Sequence, residues 1–536
     1  MNRKLIIAAI AIIAVAGIGV FALTNTGTNS GSSISIDASA LEDMSNLAVD
    51  GEKLEKNNVF IHSESSDINA LLVKNGGAFK IANGQINKTG DTQTSGDDAD
   101  FYGVNSAVLV NTNGTLDISN VEINTNSKGS NGIFVTNANA SSSNSSQGGA
   151  GGEPPEATGN GSGNGGQPPE MPEATGNGSG NGGQPPEMPE ATGNGSGNGG
   201  QPPEMPSGEG SGEGGQAPGG NGGGQPGQDT VSGTTEATIK NVKITTHSDK
   251  SRGLDATYNG KITAENVIIN TDGQSCAALA TDRGEGQVHV KNSEINTGVS
   301  KTSGRGSPLV YSTGNITLEN TKGTSYVSQI ACIEGKNSIG VTNSDLTGYA
   351  EGNRKDGDAY VDLGGVFIYQ SMSGDANVGT SLFTAKDSKL SIASNSSVYK
   401  TAPMFHVTNT ACVINLDNTE LNFGSGTFLE IAGQNQWGTT GSNGGVAELN
   451  TNNEKIDGNV IVDAISSLNW TMKNTDFKGA VNSTGNTTIS VGEGSTWTLT
   501  GDSTVSSLAV SGKIDYGNFK LTVGNKTYDS SNPFKG

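Results

Sequence analysis

The chain has 536 residues, 81 of them glycine, with 5% aromatics and a formal charge of −22. Its lysines are scattered rather than clustered, which excludes nucleic acid as a partner class; an acidic surface of this kind suits solubility outside a cell, or cation binding. Length alone would suggest three or four domains, but a repeat that runs along most of the chain overrides that expectation.

Asn2-Arg3-Lys4 precedes an uncharged apolar run from Leu5 to Leu23, with Val20-Phe-Ala22 as a small-residue cleavage site. The chain is therefore expected to be exported, either secreted or held at the cell surface. Residues 1–30 read as a signal peptide or an N-terminal membrane anchor, because the apolar run is also just long enough to span a bilayer. A membrane would be met only through residues 5–23, and only if they stay uncleaved. Residues 31–59 read as an N-terminal cap or linker.

From residue 60 onward, short runs of alternating apolar and polar residues are followed by Asn or Asp and the pattern V/S/T-x-I/L/F. The instances begin at Asn120, Asn241, Asn266, Asn292, Asn343, Asp387, Asn418 and Asn474, with Asn320 as a degenerate copy. Where they are closest the spacings are 25, 26, 28 and 23 residues, too short for a globular subdomain and right for one turn of a solenoid. In Ala237-Thr-Ile-Lys-Asn-Val-Lys-Ile244 the period is two on both sides of Asn241, which predicts two half-buried strands joined at a corner. Asn tolerates the left-handed backbone such a corner needs, and stacked Asn side chains can hydrogen-bond from coil to coil. A third strand follows each variable loop, as in residues 132–135, 253–256, 308–311, 330–333 and 365–368. Three short strands per coil predict a parallel β-helix, and about a dozen coils at ~4.8 Å each would make a rod of roughly 60 Å. No segment after residue 23 shows a helical period. The first coils are placed at 60–137, the main body at 236–494 and a C-terminal cap at 495–536.

Between residues 138 and 235 the repeat stops. A 17-residue unit occurs three times in tandem, at 156–172, 173–189 and 190–206. Its Gly and Pro content and its lack of aromatics, Lys and Arg predict a disordered insertion with no core of its own. Coil-like sequence on both sides makes this one solenoid interrupted rather than two domains joined. Cys276, Cys332 and Cys412 are flanked by small apolar residues and are expected to be buried thiols, neither bridged nor reactive.

The segment Ser495-Thr-Trp-Thr-Leu499, continuing through Leu508, Val510 to Ile514 and Leu521 to Val523, resembles the closing segment of autotransporter passenger domains and other adhesin-like β-helix proteins of the pectate-lyase-like superfold. Trp470 and Trp497 alternate with Met472 and Leu499, which points both rings into the barrel. The resemblance implies a surface β-helix, and since no membrane barrel follows, it does not imply autotransport. Right-handedness follows from the resemblance and from the chirality of parallel crossovers. The fold expected is thus all-β, a single-stranded right-handed parallel β-helix interrupted by a disordered Gly/Pro/Glu-rich insertion. That insertion also resembles those of some secreted carbohydrate-binding β-helix proteins.

The paired carboxylates and Gly-His-Gly and Arg-Ile-Lys patterns of a polygalacturonase are absent, and the four His lie in unrelated settings. No catalytic residue is therefore assigned. Two acidic loops carry oxygen ligands of the type Ca²⁺ takes: Asp97, Asp98 and Asp100, and Asp356, Asp358 and Asp362. Trp437 lies in a Gly/Gln/Asn loop without alternation and reads as an exposed aromatic able to stack on a sugar, with Tyr349 and Tyr360 beside the second acidic loop. The reading that results is a monomeric, non-catalytic surface adhesin or scaffold with a surface protein or polysaccharide as partner. Its alternative is a carbohydrate-binding protein, with Ca²⁺ as the one candidate cofactor, and a polysaccharide lyase comes third.

Overall fold

The computed structural model describes residues 41–94, 96–138, 232–301, 306–352, 354–356 and 359–535. The apolar N-terminus and the tandem 17-residue repeats lie outside them. Contacts divide the chain into one unit of residues 1–149 with 223–536 and another of 150–222, and every described residue belongs to the first.

Period-two patterning produces the strands, and the Asn corner changes their phase. In Thr115–Thr125, Leu116 and Ile118 are buried, Asn120 turns the chain at φ 55°, and Val121, Ile123 and Thr125 are buried again. Strict alternation would have put residues 120 and 122 inside; one left-handed residue shifts the phase and wraps the strand around the core. All nine corners read from the sequence have φ between 46° and 56°. Asn58, Asn83 and Asn453 join them at 55–56°. The side chains form the expected ladder in part. Asn120 Nδ2 donates to Asn83 Oδ1 at 3.1 Å, Asn241 Nδ2 to Asn120 Oδ1 at 3.1 Å and Asn266 Nδ2 to Asn241 Oδ1 at 2.6 Å. The run then breaks, because Asn292 donates to Glu265 instead at 3.4 Å.

Among the described residues, the strands flanking the corners stack into a parallel sheet of 21 strands, and the third strands form a parallel sheet of 13. The fold is a right-handed parallel β-helix. In the coil before the insertion, Thr115–Thr125 lies directly beside Glu236–Thr246, the first strand after it, with Leu116 opposite Ala237 and Ile123 opposite Ile244. Asn137 Nδ2 donates to the Gly233 carbonyl at 3.2 Å, so the insertion leaves and re-enters at one place. Entry into the third strand requires glycine: a Cβ on Gly253 would stand 2.3 Å from Ile269 Cγ2.

Two columns of side chains tie the coils together. The rings of Phe383, Phe405, Phe428, Trp470, Phe477 and Trp497 follow one another at centroid distances of 4.7–5.9 Å through the core. Trp470 and Trp497 are fully buried, as their alternation predicts. The second column, Ser63, Lys88, Thr125, Thr246, Thr271, Thr297 and Ser325, stands in register at the strand ends. Thr246, Thr271 and Thr297 donate to the carbonyls of Ser251, Cys276 and Ser307 at 2.6–2.7 Å, pinning the loops that lead into the third sheet. Each such bond contributes about 1 kcal/mol. The three cysteines are buried and form no disulfide. Burial pushes the Cys276 and Cys412 thiols up to about 12.

The structure departs from the sequence reading in two places: coil strands begin before residue 60, with Glu42–Ser45 paired to Val59–His62 and Leu47–Asp50 to Leu71–Lys74, and a helix interrupts a loop. Residues Gly96–Tyr102 form a short helix, α1, in a loop where no helix was expected. Seven residues are too few to show a period, and an acidic first turn suits a helix N-terminus.

Candidate functional site

Along the 21-stranded sheet, outward residues are exposed or half-buried. The 13-stranded sheet behaves differently: in Leu254–Thr257, Ala331–Glu334 and Phe405–Thr408 every residue is buried. Its outward row runs in register through Asp255, Ala280, Tyr311, Cys332, Phe367 and His406. Loops and α1 must therefore roof this face, and the roof is specific. Asp100 of α1 accepts from Arg252 Nη1 at 2.8 Å, and Thr257 Oγ1 donates to the Phe101 carbonyl at 2.8 Å. The Arg283 guanidinium lies 3.7 Å above the Phe101 ring and is bonded to Asp375. Trp437 packs on Phe367 and Tyr369 at 5.1 and 5.4 Å.

Beneath the roof is a cavity of about 250 Å³, lined among others by Arg252, Asp282, Tyr311, Gln329, Tyr369 and Trp437. A wider open groove of about 790 Å³ follows the Asn corner, but its lining is Asn, Asp, Lys, Ser, Thr, Glu and one Leu, without an aromatic or a buried charge. The roofed cavity is where the charge chemistry concentrates.

Arg252 sits among three carboxylates. Besides the bond to Asp100, its Nε lies 2.6 Å from Asp282 Oδ2 and 3.5 Å from Asp255 Oδ2. These two approaches are close enough for strong attraction but lack hydrogen-bond alignment, and the Asp255 and Asp282 carboxyls hydrogen-bond each other instead. Burial, then the neighbouring Asp282 carboxylate, raises Asp255 well above the usual carboxylate range. Burial likewise raises Asp282 to about 6, against the pull of Arg252. Burial works against the charge on Arg252, but Asp282, Asp100 and Asp255 hold it well above its ordinary value. Farther along the sheet, Glu334 accepts from Tyr311 Oη at 2.9 Å and from Ser371 Oγ, and burial raises its carboxyl. His406 is fully buried, with Nδ1 3.2 Å from the Asp362 carbonyl and Nε2 2.7 Å from Gln434 Nε2; burial lowers its basicity. A neutral imidazole donating from Nδ1 and accepting at Nε2 satisfies both contacts.

The structure redistributes the residues singled out from the sequence. Trp437 is not exposed: it is 8% accessible, because its loop folds over the apolar outer face of Phe367 and buries the indole there. Tyr349 lies elsewhere, half-buried and 6.0 Å from the Tyr326 ring. The side chain of Tyr360 lies outside the described residues, as do those of Asp97, Asp356 and Asp358. Asp98 and Asp100 are on α1, and Asp100 is engaged by Arg252 and by Lys250 at 3.3 Å. Asp362 takes part through its carbonyl, against His406. Among the described residues no group of three or more His, Cys, Asp and Glu is placed to hold a metal ion. The sequence reading missed Arg252, Asp255, Asp282, Tyr311, Glu334 and Tyr369. The signal was present in the third strands themselves, which are apolar or aromatic at successive positions and so must be covered on both faces. No protein-family model matches the chain, and no curated protein is significantly similar to it.

Proposed function

We propose that the chain is an exported, non-catalytic β-helix that binds a polysaccharide in the Trp437 cavity. What carries the reading is one juxtaposition: Trp437, Tyr311 and Tyr369 line the same small cavity as Arg252, Asp282 and Gln329. Aromatic faces stack on the apolar faces of sugar rings, while a few placed polar groups select hydroxyls, which is the usual division of labour in a carbohydrate site. Asp100 is occupied by cations of the protein itself, so binding is expected without calcium.

The test is depletion of the purified chain from solution by a panel of insoluble and acidic polysaccharides, with and without a calcium chelator. Retention on one polysaccharide, unchanged by chelator and lost in Trp437→Ala, supports the reading. No retention anywhere would leave the solenoid as an adhesin or scaffold with a protein partner, and release of unsaturated oligosaccharides would make it a lyase.

A further inference from the structure

The cavity contains more acid than its own cations can neutralise. Four carboxyls gather at its wall or just behind it: Asp100 from α1, Asp282 just after Leu279–Thr281 and Asp375 from the 371–379 loop line it, and Asp255 from the strand Leu254–Thr257 is buried against Arg252. Three described cations face them. Arg283 is taken up by Asp375 and Lys250 by Asp100, which leaves Arg252 to serve Asp255, Asp282 and the remainder of Asp100. A sugar carboxylate entering here would find no described cation without a partner and would add a further negative charge to a site already short of positive charge.

Two buried groups lining the cavity have unused capacity. Asp282 is 5% accessible, and the guanidinium 2.6 Å from its Oδ2 is shared with Asp100 and Asp255. Gln329 is 3% accessible; its Oε1 accepts from Ser328 Oγ at 2.7 Å, but its Nε2 has no partner among the described residues. Buried polar atoms are normally satisfied, so an amide N–H without a partner, beside a carboxylate that shares one guanidinium with two others, points to a ligand that supplies both an acceptor and a cationic donor. The facing aromatics, Tyr311, Tyr369 and Trp437, favour the same class, since a ring face attracts a cation as well as a sugar.

We infer that the cavity is built for an amino sugar bearing a free ammonium group, which Asp282 would receive, with Gln329 Nε2 donating to a ring hydroxyl and Trp437 covering the ring. The inference rests on the glycan reading above and narrows it to one class of sugar. It also has a proton consequence. In the empty cavity the excess charge is relieved by keeping a proton on the Asp255–Asp282 pair, whose facing groups are Arg252, Asp100, Asp375 and the Tyr311 hydroxyl. An ammonium ion supplies the missing charge, so its binding expels up to about one proton per ligand near pH 6.

The experiment is calorimetric titration of the full chain at pH 6 with glucosamine oligomers, their N-acetylated twins, cello-oligosaccharides and oligogalacturonate, in two buffers of different ionisation enthalpy. Salt at about 0.3 M screens attraction to the acidic surface at large. The deacetylated oligomer is expected to bind at least about ten-fold more tightly than its acetylated twin, with proton release. Asp282→Asn should bring the two toward parity, while Trp437→Ala weakens both. The wild-type comparison decides by itself if Asp282→Asn fails to fold. Equal affinity for the twins, or preference for the uronate, overturns the inference and leaves the glycan reading standing. No binding of any sugar overturns both.

Discussion

Arg252 Nη1 donates to Asp100 Oδ1 at 2.8 Å across 152 positions of sequence, joining the helix α1 to the entry of the strand Leu254–Thr257 in the 13-stranded sheet over an interval that contains the whole insertion. The guanidinium is 10% accessible and the carboxylate 15%, so the pair is largely removed from water. Removing one partner of such a pair leaves uncompensated buried charge, which costs more than the pair contributes. Arg252→Met strands Asp255 and Asp282, leaves Asp100 with Lys250 alone, and is expected to lower stability by about 3–5 kcal/mol. Asp100→Asn leaves two carboxylates to balance the arginine and should cost clearly less. Denaturant midpoints of the two variants check the order, and equal losses would show that Arg252 is not the organising charge.

Glu454 gives a pH dependence of unusual sign. It is buried, its Oε1 accepts from the Thr419 N–H at 2.8 Å, Oε2 has no partner among the described residues, and burial raises the carboxyl from 4.5 to about 7. The folded chain holds this proton more tightly than the unfolded chain. Its stabilisation is therefore full below about pH 4.5 and is lost as pH rises to about 7. Asp282 contributes with the same sign between its ordinary 3.8 and about 6. Melting temperature should rise on acidification from pH 8 to pH 5, with Glu454 supplying on the order of 1–3 kcal/mol. Glu454→Gln, neutral throughout and still an acceptor, should flatten the slope. An unchanged slope in that variant would assign the effect elsewhere.

The corners and the cavity were unequally legible, for a physical reason. A left-handed corner is a local requirement, met by one residue and bracketed by period two, so Asn120 or Asn241 declares itself in eight residues. Asn58-Val-Phe-Ile61 satisfies the same pattern and belongs with them, whereas Asn83-Gly and Asn453-Glu depart from it and become visible only through their φ angles. The cavity is assembled from α1, three strands of the 13-stranded sheet and the loops between coils, all far apart in sequence, and nothing local states that Asp100 will meet Arg252. Trp437 was misjudged for the same reason: its loop lacks alternation because it packs across strands as a lid, and the apolar partners that bury it, Phe367 and Leu363, belong to other coils.

The corner ladder separates backbone strain from side-chain bonding. Asn241 Nδ2 donates to Asn120 and its Oδ1 receives Asn266 at 2.6 Å, while its backbone sits at φ 54°. Asn241→Gly keeps the conformation accessible and loses only the ladder bonds, an expected cost of about 1 kcal/mol. Asn241→Ala adds the left-handed penalty of roughly 1–2 kcal/mol. Thermal unfolding of the pair measures the difference. If the two substitutions cost the same, the ladder rather than the corner conformation dominates.

The insertion can be removed without breaking a coil. Ile133–Thr136 pairs with Leu254–Thr257 residue for residue, and Thr115–Thr125 pairs with Glu236–Thr246 along its length, so the coils on either side are already neighbours. At the exit point, Thr235 Oγ1 donates to Asn137 Oδ1 at 2.7 Å, and the Gly233 carbonyl accepts from the same side chain. Joining Ala138 to Ser232 through a short Gly/Ser linker therefore closes a gap whose ends are already held together, and shortening a long loop recovers closure entropy that grows only slowly with length. Deletion of residues 139–231 is expected to leave the melting temperature unchanged or slightly higher, with the same strand signature in circular dichroism. Loss of cooperative unfolding would mean that the insertion completes the coil it interrupts. Sugar binding by the deletion variant, measured with the same oligomers, then tells whether the insertion belongs to the site: the Trp437 cavity draws none of its described lining from it, so affinity should be retained.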